Sequence, residues 1–236
     1  NMDVIWQAML ASFSMLLTLD DRLIEVILLS LRVSLTALVF ASLIGLPVAA
    51  CLAFTRFPGR KIILVTFNAM MGLPPVVVGL VVYLLLSRSG PFGVFNLLFT
   101  PTAMIIAQVV LVTPIIVSLS RESLESMRDE YHDTLRSMGA TPTQAISVLV
   151  WDARFTLATA HLAGFGRAIA EVGAVMIVGG NIDHMTRVMT TTIALEASKG
   201  DLVVALGLGV VLVLLSLTVN VLVHGLRSLG EARVAS

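Results

Sequence analysis

Polar positions in this chain are few and grouped, and the residues between them form long apolar blocks. Five blocks, near residues 24–54, 62–87, 101–120, 154–179 and 202–226, can span about 30 Å of hydrocarbon, which takes about 20 helical residues. The pattern predicts an all-α membrane protein with about five transmembrane helices. A shorter block from Val4 to Leu19 contains Gln7, Ser12 and Ser14, and is expected to lie along the outer surface as an interfacial helix. The expected organisation is residues 1–23 as that helix, 24–226 as the transmembrane domain and 227–236 as a cytoplasmic tail. The start Asn1-Met2-Asp3 lacks the cationic stretch of a signal peptide, so no cleaved leader is expected.

The interruptions within the blocks come next. Gly72-Leu73-Pro74-Pro75 removes two backbone donors from the second span, which must kink or break there. Such a break suits a pathway or a packing kink equally. Pro114, after Thr113, is a weaker version of the signal. Charged and titratable groups also sit inside spans: Glu25 and Arg32 in the first, His161, Arg167 and Glu171 in the fourth. Ionisable groups in hydrocarbon are costly and normally face protein or a watery cavity. Arg167 and Glu171 are four apart and can pair on one helix face, either as a structural pair or as a contact for substrate. His161 reads as a satisfied interior or interfacial histidine. Glu25 and Arg32, about two turns apart, share a face. Past the fourth span, Val178-Gly179-Gly180-Asn181 leads to Thr190-Thr191-Thr192, whose hydroxyls suit either an anion-tolerant vestibule or ordinary loop chemistry.

Composition narrows the class. Of 236 residues, 57% are hydrophobic and 13% charged, and the mean hydropathy is +0.98, which excludes a free soluble globule. The formal net charge is +0, so no global field attracts nucleic acid. The single Cys51 excludes an intramolecular disulfide and a cysteine metal cluster. Placement of charge says more than its sum. Five spans put Arg56, Arg60, Lys61, Arg121, Arg128, Arg136, Arg154, Arg227 and Arg233 on one side, and Arg22, Arg88, Arg187 and Lys199 on the other. The richer side is expected to be cytoplasmic, with the N-terminus outside and the C-terminus inside.

The longest loop on that side, 121–153, concentrates charge in a chain otherwise frugal with it. It carries Glu122, Glu125, Asp129, Glu130, Asp133 and Asp152 besides its arginines. Residues Glu122 to Met138 are good helix formers, and a second helix restarts at Pro142 with Thr141 as N-cap. Between them Gly139-Ala140 makes a corner, Gly139 being suited to a helix C-cap. A helix–Gly–helix elbow therefore projects into the cytoplasm, as a docking element or as a solvated connection. The chain has no phosphate-binding Gly-x-x-x-x-Gly-Lys-Ser/Thr loop, no His-Glu-x-x-His and no Gly-x-Ser-x-Gly. No catalytic residue and no metal site is expected.

The elbow Asp133-Thr134-Leu135-Arg136-Ser137-Met138-Gly139-Ala140 resembles the coupling loop of ATP-binding-cassette importer permeases, Glu-Ala-Ala, three residues, then Gly-Ala. Asp133, Gly139 and Ala140 keep its acid and its small pair, whereas Thr134 and Leu135 replace the alanines, and Trp151-Asp152 falls where the family has Leu-Pro. Leu73-Pro74-Pro75-Val76-Val77-Val78-Gly79 is similar to the second span of molybdate-type permeases, and Phe165-Gly166-Arg167-Ala168-Ile169-Ala170-Glu171-Val172-Gly173-Ala174 to their fourth. Residues Glu171 to Asn181, Thr186 to Thr191, Ile193 to Glu196 and Trp151 to Arg154 resemble the tungstate branch. The likeness covers roughly residues 24–226.

This resemblance implies a type I importer permease fold and no covalent chemistry in this chain. It implies a homodimer with the path on its axis, two separate ATPase subunits that hold ATP and Mg, and a substrate-binding protein outside. Asp133, Gly139 and Ala140, with Glu130 as acidic neighbour, would couple to the ATPase. The oxyanion path would include Pro74, Pro75, Thr113, Gly179, Gly180 and Thr190. Tungstate is the cargo it implies, with molybdate or a sulfate-like oxyanion as the alternative. A stand-alone channel or membrane enzyme is the reading from another class.

Overall fold

The computed structural model describes residues 21–139 and 141–234. The expected interfacial helix at 4–19, and Ala140, lie outside the described residues. The order is α1 (Asp21–Phe54), α2 (Arg60–Met71), α3 (Pro75–Leu86), α4 (Pro101–Ser137), α5 (Pro142–Asp152), α6 (Arg154–Ile169), α7 (Gly173–Gly179), α8 (Met189–Lys199) and α9 (Leu202–Val234). No strand occurs among the described residues.

Asp21–Phe54, Pro101–Tyr131 and Leu202–Val223 are long and apolar enough to cross a membrane singly. The pairs α2–α3 and α6–α7 bend by 104° and 55°, and each pair taken as one span brings the count to five. The break expected at Pro74–Pro75 is present. Pro74 is extended and Pro75 opens α3, where its missing N–H costs no helical bond. The fourth block departs from the single helix predicted over 154–179. It breaks at Ala170–Val172, where the Glu171 carboxylate accepts the Ala174 N–H at 3.1 Å and satisfies one open donor of the new helix.

The third span departs in the other direction. Pro114 does not interrupt it, and the piece predicted separately from Glu122 belongs to the same helix. Val112, Ile116 and Val117 around Pro114 are buried on neighbouring helices, so packing holds the axis. α4 is therefore one 37-residue rod, about 55 Å long at about 1.5 Å per residue. α1 lies against it through Ala37, Ala41, Gly45, Ala49 and Ala53, a buried row spaced by four. A Cβ on Gly45 would sit 2.8 Å from Ile116 Cγ2, so the two rods approach closely. α9 continues as helix through the stretch predicted as a tail, to Val234.

Exposed Leu, Val, Ile and Phe side chains cover the outward faces of α1, α3 and α9. Those faces suit lipid, since hydrocarbon solvates them without cost.

Candidate functional site

Two regions carry the chemistry: the charged arm at the end of α4 and the junction of the two broken spans.

The arm grows from the end of α4. Its root is fixed by arginines that satisfy carbonyls left open at the end of α1. Arg60 Nε donates to Leu52 O at 2.7 Å, and Arg128 Nη1 donates to Ala53 O. Glu125 bridges Arg60 and Arg121, tying the start of α2 to α4. All three arginines belong to the group expected on the cation-rich side, so the clamp uses charge already gathered at that end of the helices. Beyond it α4 ends at Ser137, and Gly139 turns the chain with φ +70°, a left-handed conformation that glycine adopts without strain. A Cβ there would meet nothing within 4 Å, so the corner is open toward whatever docks on it. α5 restarts as predicted, with Gln144 Oε1 accepting the Thr141 N–H at 3.0 Å. Glu130 is exposed on the arm, and the Asp133 side chain lies outside the described residues. At the far end of α5 the Arg154 guanidinium stacks 4.8 Å from Trp151 and 4.4 Å from Phe155. Ala153 alone separates α5 from α6.

At the junction, the first residues of α3 and α7 come side by side. A Cβ on Gly173 would lie 2.8 Å from Val76 Cγ2, and one on Gly79 would lie 2.7 Å from Ala174 Cα. Both spans thus break at the same place. A polar network fills the space behind. Arg167 Nη1 pairs with Glu171 Oε2 at 3.1 Å, Thr190 Oγ1 donates to Glu171 O at 2.8 Å, and Gln108 Nε2 donates to Ala168 O at 2.9 Å. Ser30 Oγ accepts the Met189 N–H at 2.8 Å. These bonds satisfy backbone groups that a broken helix leaves open, the condition for breaking one inside a membrane. The Arg167–Glu171 pair predicted from spacing is present. Glu25 and Arg32 do not pair, because two turns hold them about 10 Å apart along the axis; Glu25 instead meets His184 Nδ1 at 2.8 Å. His161 Nδ1 donates to Leu157 O at 2.8 Å, as befits an interior histidine.

The expected path residues do not form one cluster. Pro74 and Pro75 mark the junction, and Thr190 lies at its buried side. Gly179 and Gly180 lie at the far end of α7, and Thr113 is on α4 with its hydroxyl donated to Val109 O at 2.7 Å. The outer threonines spend their protons within the chain: Thr190 on Glu171 O, Thr191 and Thr192 on Val188 O. An oxyanion needs donors, so this hydroxyl cluster serves the loop and does not form a vestibule. Gly179 is likewise structural: its carbonyl accepts Thr186 Oγ1 at 2.6 Å, and a Cβ would press on Met104 at 3.0 Å. Thr186 also accepts the Ile182 N–H at 2.9 Å, while fully buried. Thr186→Val strands that donor and that carbonyl and is expected to cost about 1–3 kcal/mol. A thermal midpoint in detergent equal to that of the unmodified chain would exclude this role for the hydroxyl.

The small-residue row of α1 and the cap made by Glu171 were not recognised from sequence. The first has a signal, period-four small residues in an apolar helix. The second has none, because a carboxylate at that spacing reads equally well inside a continuous helix.

Comparison with known proteins follows from this geometry. Residues 41–236 match the family described as binding-protein-dependent transport system inner membrane component. A probable anion ABC transporter permease protein of Haloferax volcanii is 43% identical over 85% of this chain and 88% of its own. Tungstate uptake system permease proteins of Peptoclostridium acidaminophilum and Campylobacter jejuni are 37% and 34% identical, over 96% of this chain and 99% and 95% of theirs. Sulfate transport permeases are more distant. With apolar helices of membrane length, broken spans and this match over most of its length, the chain belongs to the multi-pass membrane permease components of binding-protein-dependent ATP-binding-cassette importers.

Proposed function

We propose that the chain is the permease of a tungstate importer. Two copies form the path on their shared axis, two ATPase subunits hold ATP and Mg and dock on the two arms, and a binding protein delivers the anion from outside. The chain itself binds no cofactor, its N-terminus is outside and its C-terminus cytoplasmic. The single observation that carries the cargo is the near full-length similarity to the tungstate permeases.

The geometry fits the mechanical task. Closure of the ATPases on ATP would draw the two arms together, and each pull enters α4 directly. Because α4 is continuous and its root is clamped to α1 and α2 through Arg60, Glu125 and Arg128, the displacement is carried as a rigid-body motion. The path proposed runs past the Pro74–Pro75 break and out by Gly180, with Gly179 and Thr190 as wall. Thr113 would add only lining, its proton being donated to Val109 O. Asp133, Gly139 and Ala140, with Glu130 beside them, form the docking surface.

Uptake into proteoliposomes containing the permease, its ATPase and its binding protein tests the reading. Labelled tungstate should enter with ATP, and unlabelled tungstate should compete better than molybdate, and molybdate better than sulfate. Stronger competition by molybdate or sulfate transfers the assignment to that oxyanion, the second reading favoured by the more distant sulfate permeases. A stand-alone channel or enzyme does not fit the family, and transport without the ATPase would be needed to revive it.

A further inference from the structure

We propose that Arg167 is an intramembrane contact for the crossing oxyanion, with Glu171 as the counter-charge that keeps the contact weak. The inference rests on the oxyanion-importer reading above and adds to it a residue outside the expected path set.

Depth comes first. Arg167 lies thirteen residues beyond Arg154, about 20 Å along α6 from the cytoplasmic side, well inside about 30 Å of hydrocarbon. A guanidinium at that depth needs protein or water around it. Protein supplies only part. Arg167 Nη1 meets Glu171, and among the described residues no second partner is present, while 31% of the side chain is exposed. Glu171 is buried and anchored on its other oxygen by the Ala174 N–H, so the pair is fixed from the carboxylate side and open on the arginine side.

The face around Arg167 is also unlike the lipid-facing ones. Ala163 and Ala170 are exposed, and a Cβ on Gly166 would meet nothing within 4 Å. These residues share one face with Arg167 at spacings of three and four. Where α1, α3 and α9 present Leu, Val and Phe, this face presents small residues and a cation, paired with Glu171 at the break of the fourth span. That combination leaves room for water and an anion. A planar guanidinium offers donors in a fork that matches two oxygens of a tetrahedral dianion. Glu171 already takes part of its charge, so the dianion is held briefly and released, as passage requires.

Two variants test this in the reconstituted complex. Arg167→Gln with Glu171→Gln keeps a hydrogen-bonded pair at both positions and removes both charges. Per assembled complex, its maximal tungstate uptake should fall at least tenfold. The half-saturating tungstate concentration, set by the binding protein, should stay within twofold. Arg167→Lys, which keeps the charge without the fork, should retain more of the rate than the double variant but less than the unmodified complex. A double variant transporting within twofold of the unmodified complex overturns the proposal and makes the pair structural only. Independently, Ala170→Cys in a Cys51→Ser chain should react with a charged, membrane-impermeant thiol reagent during turnover, and tungstate delivered by the binding protein should slow the reaction. No reaction in any nucleotide state means a lipid-facing surface and also overturns it. Absence of tungstate, molybdate and sulfate uptake by the unmodified complex instead defeats the importer reading itself.

Discussion

Gly139→Asp is expected to abolish ATP-driven uptake while leaving membrane insertion and the fold of the permease intact. The two halves of that result have separate causes. Within the chain the position is open, since a Cβ there meets nothing within 4 Å, and aspartate is among the residues that tolerate φ near +70°. The fold therefore loses little. In the proposed complex the same corner enters a groove of the ATPase, where an added carboxylate would occupy space and bring an uncompensated charge. Gly139→Asn separates the two effects, having nearly the volume of aspartate without its charge and the same tolerance of a left-handed backbone. Uptake and stimulated ATP hydrolysis should both disappear in the aspartate variant, and copurification with the ATPase should weaken. Normal transport by Gly139→Asp with its ATPase would remove the coupling assignment from this corner.

Gly79→Ala should damage the permease itself. The added methyl would lie 2.7 Å from Ala174 Cα and 3.2 Å from its carbonyl oxygen, and both are backbone atoms of α7. A side chain can rotate away from such a contact, but a helix backbone cannot. α3 and α7 must separate, which opens the cluster of Val78, Val82, Val175 and Val178 and shifts the break beside Gly173. Overpacking of this kind costs about 1–3 kcal/mol, or roughly 2–4 °C of thermal midpoint per kcal/mol at this chain length. Gly166→Ala, where no neighbour lies within 4 Å, is the matched control and should hold the midpoint or raise it slightly, since alanine suits a helix interior better than glycine. Equal midpoints for both variants would mean that the two half-helices do not approach as described.

The repeated apolar spans, the break at Pro74–Pro75 and the turn at Gly139 were legible from the residues. Each depends on local rules: length against bilayer thickness, the missing donor of proline and the permissive backbone of glycine. Three other features were not. The fourth span breaks where the Glu171 carboxylate reaches the Ala174 N–H, and Pro114 leaves the third intact between buried neighbours on both sides of it. Glu25 pairs with His184, 159 residues away, in preference to the arginine on its own helix. In each case the deciding partner is remote in sequence or set by side-chain reach.

The candidate site divides in the same way. Asp133, Gly139 and Ala140 could be proposed for coupling in advance because such an elbow is a contiguous motif. The junction of the broken spans could not be foreseen, because two breaks from separate spans are brought together there, and because hydroxyls that look available in a string of threonines are donated to the chain's own carbonyls.

The sequence alone determined that this protein carries repeated membrane-length apolar helices and where the helix–glycine–helix elbow turns, since burial in hydrocarbon and turn chemistry act residue by residue. Only the tertiary structure decided that the third span and the arm are one rod, that the two broken spans share one junction, and that Arg167 opens onto a face of small residues. Packing between distant segments sets which helix continues, which carbonyl is satisfied and which cation is left with donors to spare.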